Sequence, residues 1–273
     1  MPVLEARGAE LSWNEVGEGA AFVLIHETAT SSTVWASVAR VISEGGRSVS
    51  DGGRAIAYDR RGWGSSTSPE GYQRTTIQEQ SEDAAVLIDS LRLAPAVLCG
   101  AGIGAVIALD LLLRSPELIA GALLIEPIVF ALLPDATVAL ADDRVVVENA
   151  VRDHGVHGAV TAYLSGELRA LGAGSDRLPT ALTAQARKRP ASLFAELGAP
   201  AIWNVPLTRF AGAQRPSVIV TAESTPSLLR DGARALTARL NQSESAEVEI
   251  ARTPPHVGAP EHVAELALGL AAR

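Results

Sequence analysis

Residues 96–117 read AVLCGAGIGAVIALDLLLRSPE, and their reading decides the fold. Ala96 to Cys99 is a short apolar run without a polar face, as expected of a strand buried on both sides of a sheet. Gly100-Ala101-Gly102-Ile103-Gly104 follows as a tight turn. From Ile103 to Leu113 the apolar residues continue as a buried helix, interrupted only by Asp110. Strand, glycine turn and helix in direct succession are the building unit of an α/β protein.

The same rhythm extends outward. FVLIH (22–26), AIAY (55–58), ALLIE (122–126), SVIV (217–220) and VEIA (248–251) read as further strands. Residues 11–16 read as an antiparallel lead-in. Helical patterns cover Ser32–Ser43, Thr76–Leu91, Ser227–Leu240 and Glu261–Ala271, so most strands are followed by a helix. That order predicts right-handed crossovers and a mostly parallel sheet. From Val129 to about Pro206 the strand signals stop and helical patterns take over, near 143–171 and 179–197. The predicted organisation is a core of residues 1–128 and 206–273 with a helical lid at 129–205. Glu44–Gly53 (EGGRSVSDGG) reads as a polar, glycine-rich and mobile loop.

Composition narrows the function classes. The 273 residues are 47% hydrophobic and carry a formal net charge of −8 at pH 7. An acidic surface repels phosphate backbones, which argues against nucleic acid. One cysteine, Cys99, excludes a disulfide framework and a cysteine-rich metal site. No signal peptide and no bilayer-length apolar run are visible. The expected setting is cytoplasmic, with no membrane, no metal and no cofactor, and with a homodimer allowed.

Five segments, in order, resemble the α/β-hydrolase family. Gly100–Gly104 is similar to its G-x-S-x-G nucleophile elbow. Leu24-Ile25-His26-Glu27-Thr28 resembles the strand end that supplies one oxyanion N–H. Tyr58-Asp59-Arg60-Arg61-Gly62-Trp63-Gly64-Ser65-Ser66 resembles the Y-D-x-R-G-x-G-x-S turn. Leu124-Ile125-Glu126-Pro127 resembles the strand end before the lid, and Pro260-Glu261 the C-terminal P-E segment. The resemblance implies an α/β-hydrolase fold over nearly the whole chain.

It also implies a nucleophilic serine, and here the chain departs. Gly102 stands at that position, and no Ser, Thr, Cys or Asp lies between Gly100 and Ala108. Without a side chain no acyl-enzyme forms there. Counting back from Pro260 places Thr253 where the family's histidine commonly stands. His256, three residues later, either reaches the site or caps its helix. The acid of the triad falls to Glu126 after the sixth strand, or to Glu223 or Ser224 after the seventh. Glu27 replaces the small residue after His26. A carboxylate there repels a developing oxyanion but suits a general base. Its alternative is a surface pair with Arg60 or Arg61.

The residues therefore point to Glu27 and His256 as acid/base candidates. Gly102, Thr253 and Glu126 are vestigial triad positions, and the N–H groups of Thr28 and Ile103 resemble an oxyanion hole. Trp203, Phe130 and Tyr163 are candidate walls of a hydrophobic, aromatic substrate pocket. The leading expectation is a cofactor-independent, non-hydrolytic enzyme similar to natural-product members of the family. Such an enzyme would form C–C bonds or cyclise an aromatic polyketide-like compound. The alternatives are an esterase or lactonase with relocated catalytic residues, and a non-catalytic small-molecule binder.

Overall fold

A computed structural model describes residues 1–46 and 51–273. The centre of the predicted mobile loop at Glu44–Gly53 lies outside the described residues. Eight strands form one sheet: β1 (Val3–Ala6), β2 (Ala9–Val16), β3 (Ala20–Ile25), β4 (Gly53–Tyr58), β5 (Ala96–Ala101), β6 (Ile119–Ile125), β7 (Ser217–Ala222) and β8 (Ser243–Val248). Their spatial order is β1-β2-β4-β3-β5-β6-β7-β8. β2 runs antiparallel to β1 and β4, and every pair from β4 through β8 is parallel.

The apolar runs are strands because both faces of the sheet are covered. Val23 and Ile25 point to one face, with Leu98, Leu124 and Ile219. Phe22 and Leu24 point to the other, with Val97, Cys99 and Val220. Helices α2 (Ile77–Ser90), α3 (Ile103–Arg114) and α10 (Ser227–Thr237) cover the first face. Helices α1 (Ala36–Glu44) and α12 (Pro260–Ala271) cover the second. Thr76 caps α2 by accepting the Glu79 N–H at 3.0 Å, which sets its start.

Two elements differ from the sequence reading. VEIA (248–251) is not the last strand, because β8 ends at Val248. β8 is an edge strand whose side chains are largely exposed, so its sequence, SESAEV, is polar and gives no apolar run. The lead-in is a pair of strands, since β1 precedes β2 and lies at the other edge. Between β6 and β7 there is no strand among the described residues. The interval holds α4 (Ala136–His154), α5 (Val156–Leu164), α6 (Thr180–Lys188), α7 (Pro190–Glu196), α8 (Ala199–Ile202) and α9 (Leu207–Gly212). Among the described residues no helix is long and apolar enough to cross a membrane.

The short helix α11 (Pro255–Gly258) sits between β8 and α12 and carries His256. The strand ends that matter for function, after β3, β5 and β6, meet α11 and the α4–α9 insertion at one end of the sheet.

Candidate active site

The turn after β5 is tight because of its glycines. A Cβ at Gly104 would stand 2.2 Å from the Ile25 carbonyl oxygen, so only glycine lets α3 approach β3 this closely. Gly102 adopts φ 55° and ψ −118°, and its N–H donates to the Ile125 oxygen at 3.0 Å. The next residue, Ile103, opens α3, so its N–H has no partner within the helix and lies at the positive end of the helix dipole.

The loop after β3 is equally well fixed. The Glu27 carbonyl accepts from the Thr30 hydroxyl at 3.0 Å and from His26 Nδ1 at 2.8 Å. His26 Nε2 in turn accepts the Arg60 N–H at 3.0 Å. These bonds define a neutral ring with its proton on Nδ1. Burial and the nearby Arg60 charge hold the His26 pKa well below 6.5. The backbone of Glu27 is thereby locked, and its side chain turns toward Gly102. A Cβ added at Gly102 would stand 3.1 Å from the Cβ of Glu27.

His256 meets this carboxylate from α11. Its Nε2 lies 3.2 Å from both Glu27 oxygens. The imidazole is buried and tilted against Trp35, with ring centroids 4.8 Å apart. Its Nδ1 is buried without a partner. A carboxylate oxygen accepts, so Nε2 is the donor in this pair, and Nδ1 meets no group that bonds it. His256 therefore reaches the site, although Thr253 occupies the expected spacing. Thr253 is half-buried beside Gly258 and makes no bond to the Glu27–His256 pair.

Glu126, at the end of β6, has a strained φ of 46° and is buried. It accepts from the Thr225 hydroxyl at 2.6 Å and forms a close ion pair with Arg177 of the insertion. Arg177 also donates to Ser224 at 3.2 Å. Glu223 is exposed. None of these groups is bonded to the His256 Nδ1, so the acid of a triad is not assembled.

Glu27, Thr28, Gly102, Ile103, Glu126 and Tyr163 share one narrow cavity, with Gly174 and Arg177 on its lid side. Its volume of about 30 Å³ holds one or two waters. Tyr163 is buried, and burial together with the Glu196 and Glu27 charges raises its pKa, so its hydroxyl stays protonated.

Trp203 and Phe130, the other two expected pocket walls, lie in the main core instead. The indole N–H of Trp203 donates to buried Asp110 at 2.8 Å, and its ring packs edge-on against Phe210. Phe130 sits in a 3-10 turn under α10. The ends of the insertion pack against the sheet domain, so both rings join its core and not a pocket wall.

The surface pairing considered for Glu27 does not occur. Arg60 is bonded to Glu196 of α7, with both side chains 1% exposed, and Arg61 to Asp83. Arg177 carries no motif, and sequence reasoning missed it. Its only signal is a basic residue close after Gly172–Gly174 in the insertion.

Residues 22–267 match the model of the family described as the alpha/beta hydrolase family. Over 69 residues the chain is 41% identical to a Mycobacterium tuberculosis protein named as a non-heme bromoperoxidase, BpoC. That stretch is 25% of either chain, so the match spans a quarter of the relative's length. Among solved structures, an esterase from Thermogutta terrifontis superposes with a TM-score of 0.73 at 20% identity, covering 94% of this chain and 91% of that one. An enol-lactonase from Burkholderia xenovorans superposes with a TM-score of 0.71 at 21% identity over the whole of both chains.

Proposed function

The chain belongs to the alpha/beta hydrolase family, and on that premise we propose that it is an esterase or lactonase in which a Glu27–His256 pair replaces the serine-based machinery. The observation that carries this reading is one geometry. The Glu27 side chain fills the space next to Gly102 and presents its carboxylate to His256 Nε2.

Glu27 acts as a general base toward water. Direct attack by its carboxylate on an ester is unproductive, because the resulting intermediate expels the carboxylate, a better leaving group than an alkoxide. As a base, Glu27 takes a proton from a water that attacks the ester carbon. It then returns that proton to the departing alkoxide. The developing oxyanion is received by the N–H of Ile103 at the start of α3 and that of Thr28. His256 is a positioning residue: its Nε2–H fixes the orientation of the carboxylate. Tyr163, protonated throughout, adds a neutral donor to the cavity wall. The hydrolase names of the structural neighbours favour this chemistry over C–C bond formation.

A second reading is favoured by the absence of a side chain at Gly102 and by the narrow, lid-covered cavity. In it the same base removes a proton from an enolisable or phenolic substrate, and the same N–H groups hold the enolate without hydrolysis. This is where a cyclising or C–C bond-forming member would belong.

The test is turnover of short-chain p-nitrophenyl esters and simple lactones by the native protein and by Glu27→Gln. The expected result is measurable turnover that falls about 10²–10⁴-fold in the variant, with the melting temperature preserved. Turnover unchanged in Glu27→Gln removes Glu27 from the scheme. If no ester or lactone is hydrolysed, exchange of α-protons of enolisable ketones into D₂O, followed by NMR, decides between the second reading and a binder without a working base.

A further inference from the structure

Arg177 is the one cation placed in the wall of the Glu27 cavity among the described residues. Its side chain is 11% exposed. Two of its nitrogens are used on one side, Nη1 by Ser224 and Nη2 by Glu126. Its Nε is buried and has no hydrogen-bond partner. An unpaired buried donor is unfavourable, so this guanidinium edge gains from any acceptor that reaches it. Glu126, which neutralises the guanidinium, is itself held by Thr225 and by the strained backbone at the end of β6.

The unpaired edge is free of any covering side chain because residue 174 is glycine. Gly174 is the neighbour of that edge, and a Cβ there would stand 2.8 Å from Nη2 and 3.0 Å from Nε. Gly174 also lines the cavity. The Nε and Nη2 hydrogens of one guanidinium edge match the two oxygens of a carboxylate in a bidentate pair. A lysine offers no such fork.

We propose that Arg177 is the recognition site for a carboxylate on the substrate, so that the ester or lactone taken by this pocket carries a free carboxylate. The assignment rests on the hydrolytic reading only for the words ester and lactone; the carboxylate subsite stands on its own geometry. The anionic group sits on the lid side, at the Arg177–Gly174 edge. The reacting carbonyl then lies toward Ile103 N–H and Glu27. Because Arg177 belongs to the insertion, a bound carboxylate also ties the insertion to the strand end that carries Glu126.

The test is calorimetric titration of the Glu27→Gln protein, which binds ester without turning it over. The two probes are monomethyl glutarate and dimethyl glutarate, which differ by one free carboxylate. The expected result is a preference of about tenfold or more for the monoester. Arg177→Lys keeps a positive charge against Glu126, so the fold is retained, yet it is expected to erase most of the preference. Gly174→Ala, whose Cβ presses on Nη2 and Nε from a backbone with φ 79°, is expected to do the same, with the melting temperature read alongside to separate loop strain from loss of the subsite. Equal binding of the two probes, binding of neither, or a preference unchanged in Arg177→Lys overturns the subsite. A preference that depends on Arg177, in a native protein that hydrolyses no ester, would instead sink the hydrolytic reading and leave the subsite standing.

Discussion

At position 102 a Cβ would crowd the Cβ of Glu27 at 3.1 Å and would sit on a backbone with φ 55°. The glycine and the glutamate are therefore two halves of one arrangement. Gly102→Ser is expected to lose about 1–3 kcal/mol of stability from strain and contact, read from urea denaturation. It gains no esterase activity, because His256 Nε2 remains engaged by Glu27. Adding Glu27→Gly relieves the contact and frees Nε2 to face a serine at 102. The double variant is expected to be more stable than the sum of the singles predicts. It is also expected to turn over p-nitrophenyl acetate by a serine route that the Gly102→Ser single lacks. Strict additivity would mean that the two positions do not share space. His26 allows a separate prediction. Its folded pKa lies well below the ordinary 6.5. Below that value the unfolded chain takes up a proton that the folded chain refuses. Its contribution to stability is thus present above about pH 6.5 and is lost as the pH falls toward the folded pKa, by up to about 1.4 kcal/mol per pH unit. Unfolding free energies between about pH 7.5 and about pH 5 should fall less steeply in His26→Asn than in the native protein.

Helix α7 is tied to the turn after β4 by a buried ion pair. Arg60 donates to both Glu196 oxygens, at 2.6 and 3.2 Å, and also to Gln80 at 2.5 Å. Removing one partner leaves a buried charge uncompensated, so Glu196→Gln is expected to destabilise by about 3–5 kcal/mol. The exposed pair of Arg40 and Glu44 on α1, with each side chain 58% exposed, makes the contrast: Glu44→Gln should change stability by less than about 1 kcal/mol. Equal effects from the two substitutions would show that burial does not set the strength here. Elements of this kind also show what a sequence reveals. The helix after the elbow was legible at Ile103 because a sharp turn, an oxyanion N–H and an apolar helix leave one local signature. Glu27 stood out because it follows His26, where the resemblance implies a small residue. β8 was misplaced because an edge strand has no apolar run. His256 could not be decided by counting, since α11 adds a turn before Pro260 and only the folded loop fixes where the ring lands. Arg177, Glu196 and the Asp110 partnership of Trp203 join segments remote in sequence, and nothing local announces them.

Over the whole molecule, the insertion is fastened unevenly. Helices α6 and α7 are pinned to the turn after β4: Gln185 accepts the Gly64 N–H at 2.9 Å, Ser192 donates to the Gly62 carbonyl at 2.8 Å, and Glu196 holds Arg60. The outer ends, with Phe130, Trp203 and Phe210, belong to the main core. Helices α4 and α5 and the loop at 165–178 are held differently. Asp143 of α4 accepts three N–H groups, from Arg169, Ala170 and Leu171, so this part is braced mostly to itself. It meets the sheet domain through Arg177, which is bonded to Glu126 and Ser224, through Ala136 and Ala170, which are buried in the main core, and through a small cluster in which Tyr163 and Leu168 pack near Ala29 and Trp63. A cavity with room for one or two waters admits no ester unless part of this cover moves, and α4, α5 and the 165–178 loop make fewer hydrogen bonds to the sheet domain than α6 and α7 do. Hydrogen exchange read by mass spectrometry should then show three levels. Amides of β3, β5 and β6 exchange only on global unfolding, and those of α6 and α7 stay close to them. Amides of α5 and the 165–178 loop exchange through a cheaper opening, and monomethyl glutarate slows that opening selectively. If α5 were as protected as β5, the cover would open only on global unfolding, and entry to Glu27 would have to run past Leu229 and Pro254, which line the cavity from outside the insertion.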